Sequence, residues 1–105
     1  MNNNLEIKLK ELKMGYLKKL ESMVLSFKAL LSDKDINIEE LYQKVHTISG
    51  TAGMYGLSKL SGDSTEFEIY LKEIRGNSNS AEKNEVEARL LKYIEALEDT
   101  VGKGE

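Results

Sequence analysis

The only histidine in this chain of 105 residues, His46, lies just before a segment with three glycines in seven positions. An imidazole can act as a nucleophile and take a transferable group on one ring nitrogen. An acceptor must then hold the proton on the other nitrogen, so that the ring keeps the required tautomer. Each glycine inside a helix costs about 1 kcal/mol relative to alanine. Gly50 and Gly53 beside the only imidazole therefore indicate that something large approaches the ring.

The residues around His46 have the pattern of an amphipathic helix. Apolar residues recur at steps of three and four, which is the period of one helical face: Ile38, Leu41, Val45, Ile48, Ala52 and Tyr55. Because His46 is one position off this stripe, we expect it on the flank of the buried face, within reach of solvent. Ser49, Gly50 and Gly53 follow at three, four and seven residues and share that flank.

The residue types exclude several other kinds of site. One histidine and no cysteine cannot supply a His-Glu-x-x-His zinc motif, a Cys/His cluster or the two Glu-x-x-His pairs of a di-iron bundle. The chain also has no Gly-x-Ser-x-Gly nucleophile elbow and no Gly-x-x-x-x-Gly-Lys-Ser/Thr phosphate loop. We therefore predict no metal site and no kinase or ATP-binding motif.

The composition is typical of a soluble globular protein and predicts a single domain over residues 1–105. It is 40% hydrophobic and 31% charged, with a net charge of −3. That charge gives no basic surface for nucleic acid, and no apolar run is long enough to span a membrane. The absence of cysteine agrees with a cytoplasmic location.

Hydrophobic periodicity predicts a first helix over residues 4–32. Its apolar stripe is Leu5, Leu9, Leu12, Tyr16, Leu20, Val24, Phe27 and Leu31. Since this run exceeds the usual helix length of about 8 to 20 residues, Gly15 is a candidate kink or break.

Three further helices follow from capping and turn signals. Asn37 with Glu40 forms a capping box that starts the second helix, and Gly56 ends it. The third helix buries Leu57, Leu60, Ser64, Phe67, Leu71 and Ile74. After a loop at 76–80, Asn79 with Glu82 would cap the fourth helix, whose stripe is Val86, Leu90, Ile94, Leu97 and Val101. The fold class is all-α, an antiparallel up-down-up-down four-helix bundle.

The hairpin of the second and third helices suggests which acceptor holds the histidine ring. If the two helices run antiparallel about a turn near Gly56, His46 lies level with residue 67. Glu68 is one position off the Phe67 stripe, so its carboxylate could reach Nδ1 of the ring. Thr65 and Lys72 lie three before and four after Glu68, on the same flank.

These residues match a known pattern. His46-x-Ile48-x-Gly50, followed by Gly56 and Leu60, resembles the signature of histidine-containing phosphotransfer (Hpt) domains: His-x-Leu/Ile-Lys-Gly, a glycine ten residues after the histidine, and a leucine four further. Phe67-Glu68 is similar to the Leu-Glu-like pair that is common in the family. The resemblance covers nearly the whole chain, including the bundle and its hairpin.

The resemblance implies a phosphorelay intermediate, a phosphohistidine carrier instead of a stand-alone enzyme. His46 Nε2 would accept a phosphoryl group from an aspartyl phosphate on a response-regulator receiver and pass it to another receiver. Gly50 would leave room for the receiver, with Gly53, Thr65 and Lys72 around it. By the same resemblance the domain binds no cofactor, Mg²⁺ belongs to the receiver, and a hybrid histidine kinase is a further candidate partner.

One residue departs from the family pattern. Ser49 stands where the family usually has a lysine, so the site has a hydroxyl in place of a positive charge. The nucleophile is intact, but the transfer rate and the phosphohistidine lifetime depend on this position. The alternative function is a non-catalytic helical-bundle interaction module in which His46 is incidental. Four helices can bury their stripes within one chain, so we expect a monomer.

Overall fold

The computed structural model describes residues 2–75 and 83–104 and shows four helices. They are α1 (Asn2–Ser32), α2 (Ile38–Ala52), α3 (Ser58–Arg75) and α4 (Lys83–Lys103), with a 3₁₀ turn at Gly53–Tyr55. The predicted all-α class is confirmed. The predicted loop at 76–80 and the cap formed by Asn79 and Glu82 lie outside the described residues.

Helix α1 runs through Gly15 without a break, so the predicted break is absent, while a kink at this glycine stays a prediction. Its continuity agrees with the small cost of one glycine, about 1 kcal/mol, in a helix of 31 residues.

Helix α2 begins after the predicted cap residue Asn37, but its α-helical part ends at Ala52, four residues before the predicted Gly56. The Asn37 side chain accepts a hydrogen bond from the Glu40 backbone N–H, which caps the first turn. At the other end the α-helix tightens into the 3₁₀ turn, and Gly56 follows with a φ of 75°. This left-handed conformation favours glycine. It lets the Leu57 N–H donate to the Ala52 carbonyl at 3.0 Å, closing the turn into α3.

Side-chain contacts show that neighbouring helices run antiparallel. Between α2 and α3, residue numbers rise along one helix as they fall along the other in three contacts: Glu39–Arg75, His46–Glu68 and Ser49–Thr65. Ser64–Tyr93 and Tyr70–Arg89 show the same order between α3 and α4. Lys28–Glu98 joins α1 to α4. These contacts give the up-down-up-down bundle predicted from the sequence.

The core is built from the apolar stripes of all four helices. Every residue predicted for the α3 stripe is buried, as are Val86, Leu90, Ile94 and Leu97 of α4. Tyr93 and Thr100 are buried on α4 as well, while Val101 is only partly buried. On α1, Leu30 is buried and Leu31 lies at the margin of the core.

The prediction was wrong for the start of the α1 stripe. Leu5, Leu9 and Leu12 are more than half exposed, whereas Tyr16 and Leu20 are buried. The reason is that α1 is longer than the helices that cover it: α4 ends beside Leu17. No helix in the described part of the chain is long and apolar enough to cross a membrane.

Candidate functional site

His46 lies on the outer flank of α2. Its side chain is 61% exposed, while Val45 and Ile48 on either side of it are buried in the core. One step off a buried stripe is enough to bring a side chain to solvent, because successive helical residues are about 100° apart. The ring is therefore open to solvent, as the sequence predicted.

The Glu68 carboxylate lies against Nδ1 of the His46 ring. The antiparallel hairpin brings the two residues level, and Glu68 is only 17% exposed, so protein shields its carboxylate from water. An acceptor at Nδ1 favours the tautomer with its proton on that nitrogen. Nε2 has no hydrogen-bond partner among the described residues, and this tautomer leaves its lone pair free.

Tyr42 stacks on the His46 ring. Its ring lies nearly parallel to that of His46, with centroids 5.8 Å apart and an angle of 13° between the planes. The Arg75 guanidinium lies 4.0 Å from the Tyr42 centroid, a cation–π contact. Arg75 also pairs with Glu39 at 3.4 Å. Neither Tyr42 nor Arg75 was predicted as a site residue from the sequence, although Tyr42 is one helical turn before His46 and so shares its flank.

Ser49 and Thr65 join α2 to α3 one turn beyond the His46–Glu68 pair. Their hydroxyl oxygens are 2.9 Å apart, and the Thr65 hydroxyl also donates to the Ser61 carbonyl at 2.9 Å. The Ser61 hydroxyl donates in turn to the Ser49 carbonyl at 3.4 Å. The hydroxyl that replaces the expected lysine is thus part of an interhelical hydrogen-bond network.

The two glycines on the His46 flank have different surroundings. A Cβ atom on Gly50 would meet nothing within 4 Å, so the backbone there faces open space. A Cβ atom on Gly53 would lie 3.4 Å from the Ser61 hydroxyl oxygen. Gly50 is therefore placed for access from outside, and Gly53 for close approach of α3.

Apart from Arg75, which is paired with Glu39, positive charge near the ring is sparse. Lys72 is exposed one turn beyond Glu68 and has no ion-pair partner within the described ranges. Lys44 is half-buried on another face of α2. No group of three or more His, Asp or Glu side chains among the described residues could hold a metal ion. The site thus offers a positioned imidazole and an open surface.

Residues of this site fall within a known protein family. The family model named Hpt domain matches residues 11–100, which include every residue of the site described above. No curated protein and no solved structure matches the chain.

Proposed function

Because this chain belongs to the Hpt domain family, whose members carry phosphoryl groups on histidine in two-component phosphorelays, we propose that His46 is the phospho-acceptor. It takes the phosphoryl group from the aspartyl phosphate of a response-regulator receiver and passes it to another receiver. The observation that carries this assignment is the Glu68 carboxylate at Nδ1 of an exposed imidazole.

The chemistry follows from this tautomer. The Nε2 lone pair attacks phosphorus, the acyl-phosphate P–O bond breaks, and the receiver aspartate leaves as a carboxylate. The ring gains positive charge as the N–P bond forms, and the Nδ1 proton stays in its hydrogen bond to Glu68. The Glu68 carboxylate thus stabilises the charge that develops on the ring. The return transfer reverses these steps.

Docking requires a partner surface to reach Nε2 in line with the bond that breaks. Gly50 supplies open space beside the ring, and we assign Gly53, Thr65 and Lys72 to the border of the same surface. Mg²⁺ arrives with the receiver. The Ser49 hydroxyl carries no charge and is hydrogen-bonded to that of Thr65, so neutralising the charge of the phosphoryl oxygens falls mainly to the partner. We place this exchange in the cytoplasm, with a hybrid histidine kinase as a further partner.

Phosphoryl transfer from a labelled receiver tests the assignment. A receiver domain phosphorylated with radiolabelled acetyl phosphate is mixed with the chain, and the label on the chain is tested for stability. We expect acid-labile, alkali-stable phosphate, as for phosphohistidine, and none on His46→Gln. That variant should keep the stability of the bundle within about 0.5 kcal/mol, since exposed positions are tolerant.

Two outcomes would contradict the proposal. Label retained in His46→Gln would place the acceptor elsewhere. Receiver binding without any label on the wild-type chain, over a panel of receivers, would favour the alternative of a non-catalytic interaction module.

A further inference from the structure

The first three turns of α1 expose an apolar stripe beyond the end of the bundle. Leu5, Leu9 and Leu12 are 63%, 56% and 54% exposed, although they lie on the same face of α1 as the buried Tyr16. A groove of about 600 Å³ lies between this stripe and Met54, which is 81% exposed. A continuous apolar surface of this kind is typical of a binding face.

The spacing of the stripe is that of a two-helix coiled coil. Leu5, Leu9, Leu12 and Tyr16 follow at steps of four, three and four, the a and d positions of a heptad. Glu6 and Lys13 both border this seam on one side, at the e positions. Neither has an ion-pair partner in the described part of the chain.

The charges beside these a and d positions indicate the direction in which a second α1 helix would pack against them. In an antiparallel pair of α1 helices the e positions face each other, so Glu6 meets Lys13 of the second copy, and two-fold symmetry repeats the contact. In a parallel pair Lys8, at a g position, would face Lys13 of the second copy, and like charges repel. The sequence of the seam is therefore complementary to itself in the antiparallel arrangement.

We propose that two copies of this chain associate through residues 5–12 of α1, the part that extends beyond the bundle. The two α1 helices then run antiparallel, with a two-fold axis near Lys10. Leu9 and Leu12 of each copy then cover Leu12 and Leu9 of the other, and Leu5 lies level with Tyr16 of the second copy. The expectation of a monomer assumed that four helices bury all their stripes, and this stripe stays open in one chain. The assembly does not use His46 or its surroundings, so it stands apart from the proposed phosphotransfer.

Sedimentation velocity of the whole chain from about 5 to about 500 µM tests the association. Leu9→Lys should weaken it at least about tenfold, because each assembly loses two buried leucines. Ile7→Lys is the matched control: Ile7 is 55% exposed, against 56% for Leu9, but lies on the opposite face of α1. It should associate as the wild type does. A wild-type chain that stays monomeric throughout, or equal weakening by both variants, would overturn the proposal.

Substitutions at Glu6 and Lys13 test the antiparallel register of the two α1 helices. Glu6→Lys and Lys13→Glu should each weaken association, because each places like charges at positions 6 and 13 of facing copies. An equimolar mixture should associate more strongly than either variant alone, since both cross-contacts then pair opposite charges, and this gain should shrink as salt rises. Unchanged association of Glu6→Lys, or a mixture that gains nothing, would rule out the antiparallel register.

Discussion

The Glu68 carboxylate and Nδ1 of the His46 ring meet across α2 and α3 although 22 residues separate them in the chain. The pair fixes which ring nitrogen carries the proton, and therefore which one is free to react. Glu68 is the more shielded of the two side chains, 17% exposed against 61% for His46.

Glu68→Gln should slow phosphoryl transfer to His46 about threefold to tenfold without abolishing it. The amide oxygen can still accept a hydrogen bond from Nδ1–H but carries no charge to stabilise the developing imidazolium. Nitrogen-15 NMR of the ring should show a mixture of tautomers in place of one. Glu66→Gln is the control, because Glu66 lies on the α3–α4 side of the helix. An unchanged rate together with an unchanged tautomer would remove Glu68 from the mechanism.

Gly50→Leu should stabilise the fold but impair receiver docking. The added side chain meets no protein atom near its Cβ and removes an interior glycine, a gain of up to about 1 kcal/mol. The same side chain fills the open space beside His46. Calorimetry measures docking, and thermal unfolding measures stability. Gly102→Leu on α4, where space is also open, should leave docking unchanged. Wild-type affinity in Gly50→Leu would exclude this position from the docking surface.

Ser49→Lys should raise the share of phosphate held on His46 by a few-fold at most. A hydrogen bond to a charged group stabilises by about 1.5–3 kcal/mol when buried, and solvent screening at this surface lowers that towards 1 kcal/mol or less. The measurement is phosphate partitioning between the chain and its receiver at low and high salt, and the gain should shrink with salt. Thr47→Lys places the same charge on the other flank of α2 and should have little effect. A gain in phosphate on His46 that does not change with salt concentration, or a loss of transfer, would show that the receiver is matched to a neutral residue at position 49.

Tyr42→Leu should loosen the His46 ring and reduce transfer, whereas Tyr42→Phe should behave as the wild type. The contact uses the aromatic face, which phenylalanine keeps and leucine lacks. Ring-current shifts of the His46 protons report the contact directly. Equal shifts and rates in the leucine variant would mean that the stacked arrangement does not hold the ring in solution.

The stability of the bundle should fall at high pH because of a buried tyrosine. The Tyr93 hydroxyl lies 2.7 Å from that of Ser64 in the core, and burial raises the pKa of Tyr93 above its ordinary value. Unfolded tyrosine loses its proton near pH 10, where folded Tyr93 still holds its own. The unfolded state then binds fewer protons, so the free energy of unfolding decreases as pH rises above about 10.

Denaturant unfolding between pH 7 and 11 measures this effect, and Tyr93→Phe should flatten the dependence. The same variant leaves the Ser64 hydroxyl unpaired and should cost about 1–3 kcal/mol at neutral pH. Ser64→Ala combined with Tyr93→Phe should cost less than the two single changes together. An equally steep pH dependence in Tyr93→Phe would assign the alkaline loss to other groups.

The sequence by itself determined that the chain is helical, which face of each helix is apolar, and that His46 lies on a flank. Periodicity reports which face of a helix is apolar, and the caps at Asn37 and Gly56 report where α2 begins and turns. Because the turn is short and the helices are antiparallel, the residues of α2 and α3 that lie level can be predicted, and this places Glu68 beside His46 from the sequence pattern.

The tertiary structure alone decided which helices cover each apolar face, and which side chains on the flanks of two helices contact each other. Leu9 and Leu20 belong to one stripe, yet only Leu20 is buried, because the length of the neighbouring helices sets where the core ends. The Tyr42–Arg75 stack and the Ser49–Thr65 hydrogen bond join residues of two helices. Their contacts depend on helix separation and side-chain rotamers, and a one-dimensional pattern carries neither.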